Sequence, residues 1–119
     1  MKYLFIHYPK CSTCKRAKQW LENNGINFKA RSIVEDNPTK EELETWYHKS
    51  DLPLRKFFNT SGILYREMKL KDVVQTASED ELLDLLSSNG MLVKRPVIVA
   101  DDFILLGFKE KDWEEKLKA

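Results

Sequence analysis

The chain has few of the residues that build metal centres, nucleotide sites or covalent staples. Its 119 residues include two cysteines and two histidines. A structural zinc site takes four ligands, mostly Cys and His. His7 and His48 show no finger-type spacing with Cys11 and Cys14, so no metal is expected. The four glycines form no phosphate-cradling loop, so no cofactor is expected either. Neither sign of charge prevails: 20 Lys and Arg face 19 Asp and Glu, a formal net charge of +1. That balance supplies no electrostatic footprint for direct nucleic-acid binding or for an anionic membrane surface. No apolar run approaches the roughly 20 residues that span a bilayer. The run in MKYLFIHYPK is too short for a signal peptide and no small-residue cleavage site follows it. A cytoplasmic, reducing setting is the expectation. There a C-x-x-C is more often catalytic, redox-sensing or metal-binding than a staple.

What is present reads as one folded domain over residues 1–119, long enough to bury a core. Residues 2–7 of KYLFIHY form an apolar run closed by Pro9, which predicts a buried strand. STCKRAKQWLENNG predicts a helix with Cys14, Ala17 and Leu21 on one face, Trp20 beside them, and Gly25 as its left-handed stop. INFKARSI alternates and predicts a second strand, parallel to the first across the helical crossover. Thr39 with Glu42, and Ser78 with Glu81, match the capping box of two later helices; Gly90 is read as the stop of the second. Between them the pattern is less regular: a short helix near 53–58, a turn at Ser61-Gly62, another short helix near 63–68. PVIVA and FILLGF, joined by Asp101-Asp102, predict an antiparallel hairpin, and KEKDWEEKLKA a closing amphipathic helix. The order is β-α-β, a helical stretch at about 38–90, then β-β-α. It predicts an α/β fold: a thioredoxin-like, mixed four-stranded sheet with helices on both faces and a helical insertion between its halves. Trp20, Trp46 and Trp113 are assigned to packing.

The chemistry concentrates in YPKCSTCKRA. Cys11 falls at the strand-to-helix turn, at or just before the first helical residue. Unpaired N–H groups and the positive end of the helix dipole favour thiolate there. Lys10, Lys15 and Arg16 add positive charge. Cys14 lies one turn on, placed to resolve a mixed disulfide by displacing the product from Cys11. Ser12 and Thr13 offer hydroxyls and N–H groups to an anion. The bland alternative keeps both cysteines as small buried hydrophobes; it is stronger for Cys14, on the apolar helix face.

HYPKCSTCKRAKQWLENNGI, FFNTSGILYREMKLKD, GMLVKRPVIV and LLGFKE together resemble the arsenate reductase (ArsC) family, whose members include the Spx regulators and YffB-type proteins. The resemblance covers nearly the whole chain. It implies a thioredoxin-like fold with a helical insertion and Cys11 as nucleophile. It also implies that Arg95 contacts thiolate or oxyanion and that the Arg95-Pro96 bond is cis. His7 falls where the classical enzymes carry a His before the cysteine turn, a candidate imidazolium beside Cys11. Those enzymes set three arginines around the oxyanion. Here Arg95 aligns with one; Asn59 and Gly107 stand near the other two, and Arg55 and Arg66 are candidate replacements. A doubly charged oxyanion needs charge-assisted donors, so this departure points away from arsenate itself. The C-x-x-C matches Spx-type members instead. The reading is a cysteine-dependent reductase, a monomer acting on a disulfide or small oxyanion. Thioredoxin or glutathione with glutaredoxin would be the reductant. The alternative is a redox-switch regulator binding RNA polymerase.

Overall fold

The computed structural model describes residues 3–118; Lys2 of the predicted first strand and Ala119 of the last helix lie outside the described residues. β1 (Tyr3–His7), α1 (Ser12–Asn23) and β2 (Phe28–Ser32) make the opening β-α-β unit. The inserted stretch holds α2 (Lys40–Ser50), a 3-10 turn at Leu54–Phe57, α3 (Ile63–Glu67), α4 (Leu70–Thr76), α5 (Glu79–Ser88) and a second 3-10 turn at Gly90–Leu92. β3 (Val97–Val99), β4 (Ile104–Leu106) and α6 (Glu110–Leu117) complete the chain.

The sheet order is β2-β1-β3-β4. β1 and β2 run parallel, with Phe5 opposite Ala30. β3 runs antiparallel to β1, with Ile98 opposite Phe5. β3 and β4 form the expected hairpin, Ala100 N–H donating to Phe103 O around Asp101-Asp102. The pleat sends alternate residues to opposite faces. Phe5 and Ile98 meet Ala17, Trp20 and Leu21 of α1 and Trp113 and Leu117 of α6. Ile6, Val97 and Ile104 meet the insertion through Leu43, Trp46, Phe57, Phe58, Leu83 and Leu86. All three tryptophans are core residues. The α/β fold is therefore the one expected, with the cysteine helix on one face and the insertion on the other.

Local signals explain most boundaries. Both capping boxes form. Gly25 sits at φ 64°, where a Cβ is unfavourable, and ends the α1 turn. Two readings need correction. The stretch after Glu67 continues into α4, entered through Lys69 at φ 54°; the strained entry hid the periodicity of Leu70 and Val74, which pack on the insertion core. Gly90 is not a left-handed stop. α5 ends at Ser88, Asn89 is extended, and Gly90 opens the next 3-10 turn.

One ion pair ties the edge strand to the insertion. Arg31 of β2 grips Glu42 bidentately at 2.7 and 2.8 Å and lies over the Trp46 ring. Hydrogen bonding from Arg31 is the largest cause holding the Glu42 carboxyl well down, at about 2 against an ordinary 4.5. Unscreened, that shift is worth about 3 kcal/mol. The Glu42 side chain is 36% exposed, and screening leaves about 1–2 kcal/mol. A carboxyl with a lowered folded pKa stabilises above its unfolded value, and the gain disappears as pH falls through the folded one. Glu42→Gln is therefore expected to lose about 1–2 kcal/mol at pH 7 and to show a flatter loss of stability on acidification. Chemical denaturation at pH 7 and pH 3 checks both; equal sensitivity to acid in the two proteins would refute the assignment.

Candidate functional site

β1 ends at His7, and the chain turns through Tyr8, Pro9 and Lys10 before α1 begins. Cys11 is the N-cap, extended at φ −85° and ψ 123°. Its N–H donates to Tyr8 O at 2.9 Å and its carbonyl accepts from Lys15 N–H at 3.0 Å. The cap has no side-chain hydrogen bond to the helix backbone, so Cys11 Sγ stands at the mouth of the helix among orphan N–H groups. It is partly exposed, whereas Cys14 on the next turn is fully buried. Both are free thiols.

The two thiols are driven in opposite directions. Burial pulls the Cys11 pKa up, but the nearby Cys14 N–H and thiol, the Arg95 guanidinium and the Thr13 N–H favour the thiolate and outweigh it. The net shift is downward. For Cys14, burial dominates and pushes the thiol up to about 12, against partial relief from the Tyr8 N–H, which donates to its Sγ at 3.5 Å. Accepting from Cys14 and standing beside its charge, the Cys11 thiolate raises Cys14 further. The site thus separates a reachable sulfur whose ionisation is favoured from an enclosed one whose ionisation is opposed.

Arg95 arrives from the opposite end of the chain. Residues 57–59 pair with 92–94: Asn59 N–H donates to Leu92 O at 2.8 Å and Lys94 N–H to Phe57 O at 2.7 Å. That ladder, with the Phe58–Val93 bridge, delivers Arg95 to the cysteine turn. The Arg95-Pro96 bond is cis, and Pro96, which has no N–H, accepts from Gly107 through its carbonyl at 2.8 Å. The Arg95 guanidinium sits 5.0 Å from the Tyr8 ring centroid. Its Nη1 is buried and has no hydrogen-bond partner, a free charged donor beside a thiolate. Buried donors without partners are rare and costly, and here an anion would satisfy one.

Other candidates fall differently. Thr13 contributes its N–H to Cys11, while its hydroxyl takes an outer hydrogen bond from Arg16. Ser12 is exposed as the first residue of α1. Asn59 occupies the ladder beside the Arg95 strand, its side chain accepting from Ser61, and is not among the groups acting on Cys11. Arg55 and Arg66 are exposed on the insertion and do not act on Cys11 either. His7 stacks on Phe5 at 4.9 Å. Burial, then the nearby Lys18 charge, lower its pKa, which favours the uncharged ring over the imidazolium read from the resemblance. A trench of about 1230 Å³ runs between the insertion and β4 with α6, but neither Cys11 nor Arg95 lines it. Among the described residues no three His, Cys, Asp or Glu cluster as metal ligands, and no helix is long and apolar enough to cross a membrane. Tyr8 had no role in the sequence reading. Its signal was an aromatic ring wedged between a buried strand and Pro9, and it became legible only when Arg95 was seen against it.

This arrangement has counterparts. A solved structure of an ArsC family related protein from Bacteroides fragilis is 53% identical, covers 97% of each chain and superposes with a TM-score of 0.93. The arsenate reductase from Vibrio cholerae is 28% identical, matching 99% of this chain and 97% of its own, with a TM-score of 0.82. The global transcriptional regulator Spx from Streptococcus pyogenes is 24% identical over 94% of this chain and 81% of its own length. The ArsC family model matches residues 6–116, from the end of β1 into α6, and with Cys11, Cys14 and Arg95 all inside that span the chain belongs to the ArsC family.

Proposed function

We propose that the chain is a cytoplasmic thiol–disulfide oxidoreductase with Cys11 as nucleophile and Cys14 as resolving thiol. The observation that carries this reading is the split between the two sulfurs, one lowered and reachable, the other raised and buried. Cys11 thiolate attacks a substrate disulfide, forms a mixed disulfide and expels the first substrate thiolate. Cys14 then attacks Cys11 Sγ, closing Cys11–Cys14, and the second substrate sulfur leaves as a thiol carrying the Cys14 proton. Arg95 and the helix N-terminus stabilise negative charge on the exchanging sulfur. Because Cys14 is enclosed, a reductant attacks at Cys11. Two electrons from a dithiol of the thioredoxin class, or from glutathione with glutaredoxin, restore both thiols. A small oxyanion can take the place of the disulfide at Arg95 Nη1. Arsenate itself is not favoured, since Arg95 is the one arginine acting on Cys11.

A thiol titration of wild type and Cys14→Ser tests this. Cys11 is expected to alkylate well below the pH of a free thiol. Mild peroxide is expected to oxidise Cys11 to the sulfenic acid. Cys14 then condenses with it, forming the disulfide and releasing water. Cys14→Ser should stop at the sulfenic acid. A Cys11 that titrates near 8.5, with no disulfide, sinks the proposal. The Spx relative supports a second reading, in which the same disulfide is a switch for binding RNA polymerase. Turnover of a disulfide substrate with thioredoxin, against oxidation-dependent capture of purified polymerase, separates the two.

A further inference from the structure

Three groups of the cysteine site touch one residue to which the ArsC resemblance gives no role. Tyr8 accepts from Cys11 N–H through its carbonyl and donates to Cys14 Sγ through its N–H. Its ring carries the Arg95 guanidinium on its face, 5.0 Å from the centroid. Tyr8 also packs against the insertion core, which fixes its position. Arg95 Nη1 itself lacks any hydrogen-bond partner.

We propose that Tyr8 is a positioning residue: its ring holds the Arg95 guanidinium in the plane that faces Cys11 Sγ, and thereby sets how readily Cys11 ionises. This rests on the reading of Cys11 as the reactive thiol. A guanidinium stacked on an aromatic face is attracted to the ring quadrupole, and its donors then point outward only along its own edge. With the ring over one face, the guanidinium offers its in-plane N–H donors to thiolate and incoming anion. The contact belongs to the ring and not to the hydroxyl, so phenylalanine should reproduce it and an aliphatic side chain should not.

The test is the pH profile of Cys11 alkylation by iodoacetamide, followed by mass spectrometry of the intact chain. The variants are Tyr8→Phe, Tyr8→Leu, Tyr8→Met, Arg95→Ala and the Tyr8→Leu/Arg95→Ala pair. Tyr8→Leu and Tyr8→Met should move the profile to higher pH and slow alkylation at pH 6.5 by roughly two- to tenfold, the range a partly desolvated contact of this kind supports. Tyr8→Phe should restore the wild-type profile. In the Arg95→Ala background the leucine change should add nothing, because Tyr8 acts through Arg95. Two aliphatic variants guard against one failing to fold, with circular dichroism as the check. Unchanged profiles in both, or an undiminished leucine effect without Arg95, overturn the role of Tyr8 while leaving Cys11 as nucleophile. A wild-type Cys11 that titrates as a free thiol overturns both.

Discussion

Cys11→Ser is expected to silence the native chain as a thiol: alkylation at pH 7 falls on the order of 10²-fold or more, and peroxide yields no disulfide. The remaining sulfur is the reason. Cys14 is fully enclosed, and burial, the largest cause, pushes its pKa up to about 12. A thiol at that value is ionised to about one part in 10⁵ at pH 7. Losing Cys11 also removes its acceptor and its charge, which contribute to the rise, so the variant's Cys14 should sit lower than in wild type. Burial remains, and reagent access remains blocked. Cys14→Ser behaves differently, because Cys11 keeps Arg95, the Thr13 N–H and the backbone N–H at position 14. That variant should still attack, then stall as a trapped mixed disulfide. Timed alkylation, with a denatured sample as the total thiol count, reads the contrast. Fast alkylation of native Cys11→Ser would reverse the order of the two thiols.

Much of this site is legible in the sequence because its logic is local. A cysteine between a strand and a helix lands at the N-cap, and three residues on lands one turn away on the buried face. Capping boxes and the Asp101-Asp102 hairpin are equally local, and they form. Arg95 is legible only through the resemblance, since the ladder of residues 57–59 on 92–94 that delivers it leaves no period in either segment. His7 shows the limit of positional analogy. Its place before the turn suggests an imidazolium, while burial and then the Lys18 charge favour the neutral ring. α4 is not legible in the sequence because a left-handed Lys69 interrupts the helical pattern where a glycine would have announced it.

The two glycines read as helix stops should respond very differently to alanine, with Gly90→Ala the more damaging. Gly25 is a glycine of conformation. It sits at φ 64°, yet nothing lies within 4 Å of where a Cβ would go. Gly25→Ala is expected to cost about 1–2 kcal/mol, the ordinary penalty for a left-handed residue with a side chain. Gly90 is a glycine of space. Its Cβ would collide with Ile33 O and come within 2.7 Å of Asn37 Oδ1. Ile33 is fully buried, and Asn37 is pinned by its amide donating to Ser87 O at 2.7 Å and to Pro38 O at 3.2 Å. The obstruction is therefore backbone held from two directions, not the free end of a side chain. Relief requires the loop after β2 to separate from the end of α5, which opens the contact between the sheet and the insertion. Overpacking of a well-filled site costs about 1–3 kcal/mol, and an obstruction that cannot rotate away places Gly90→Ala at about 3 kcal/mol or more. Urea denaturation of the two variants beside wild type reads the difference as a shift in midpoint at constant slope. Equal losses would mean that the close approach at Gly90 is relieved cheaply and is not the reason for glycine there. A larger loss at position 90 identifies close approach as the reason for glycine there, and it would also disturb the route by which residues 90–94 carry Arg95 to Cys11.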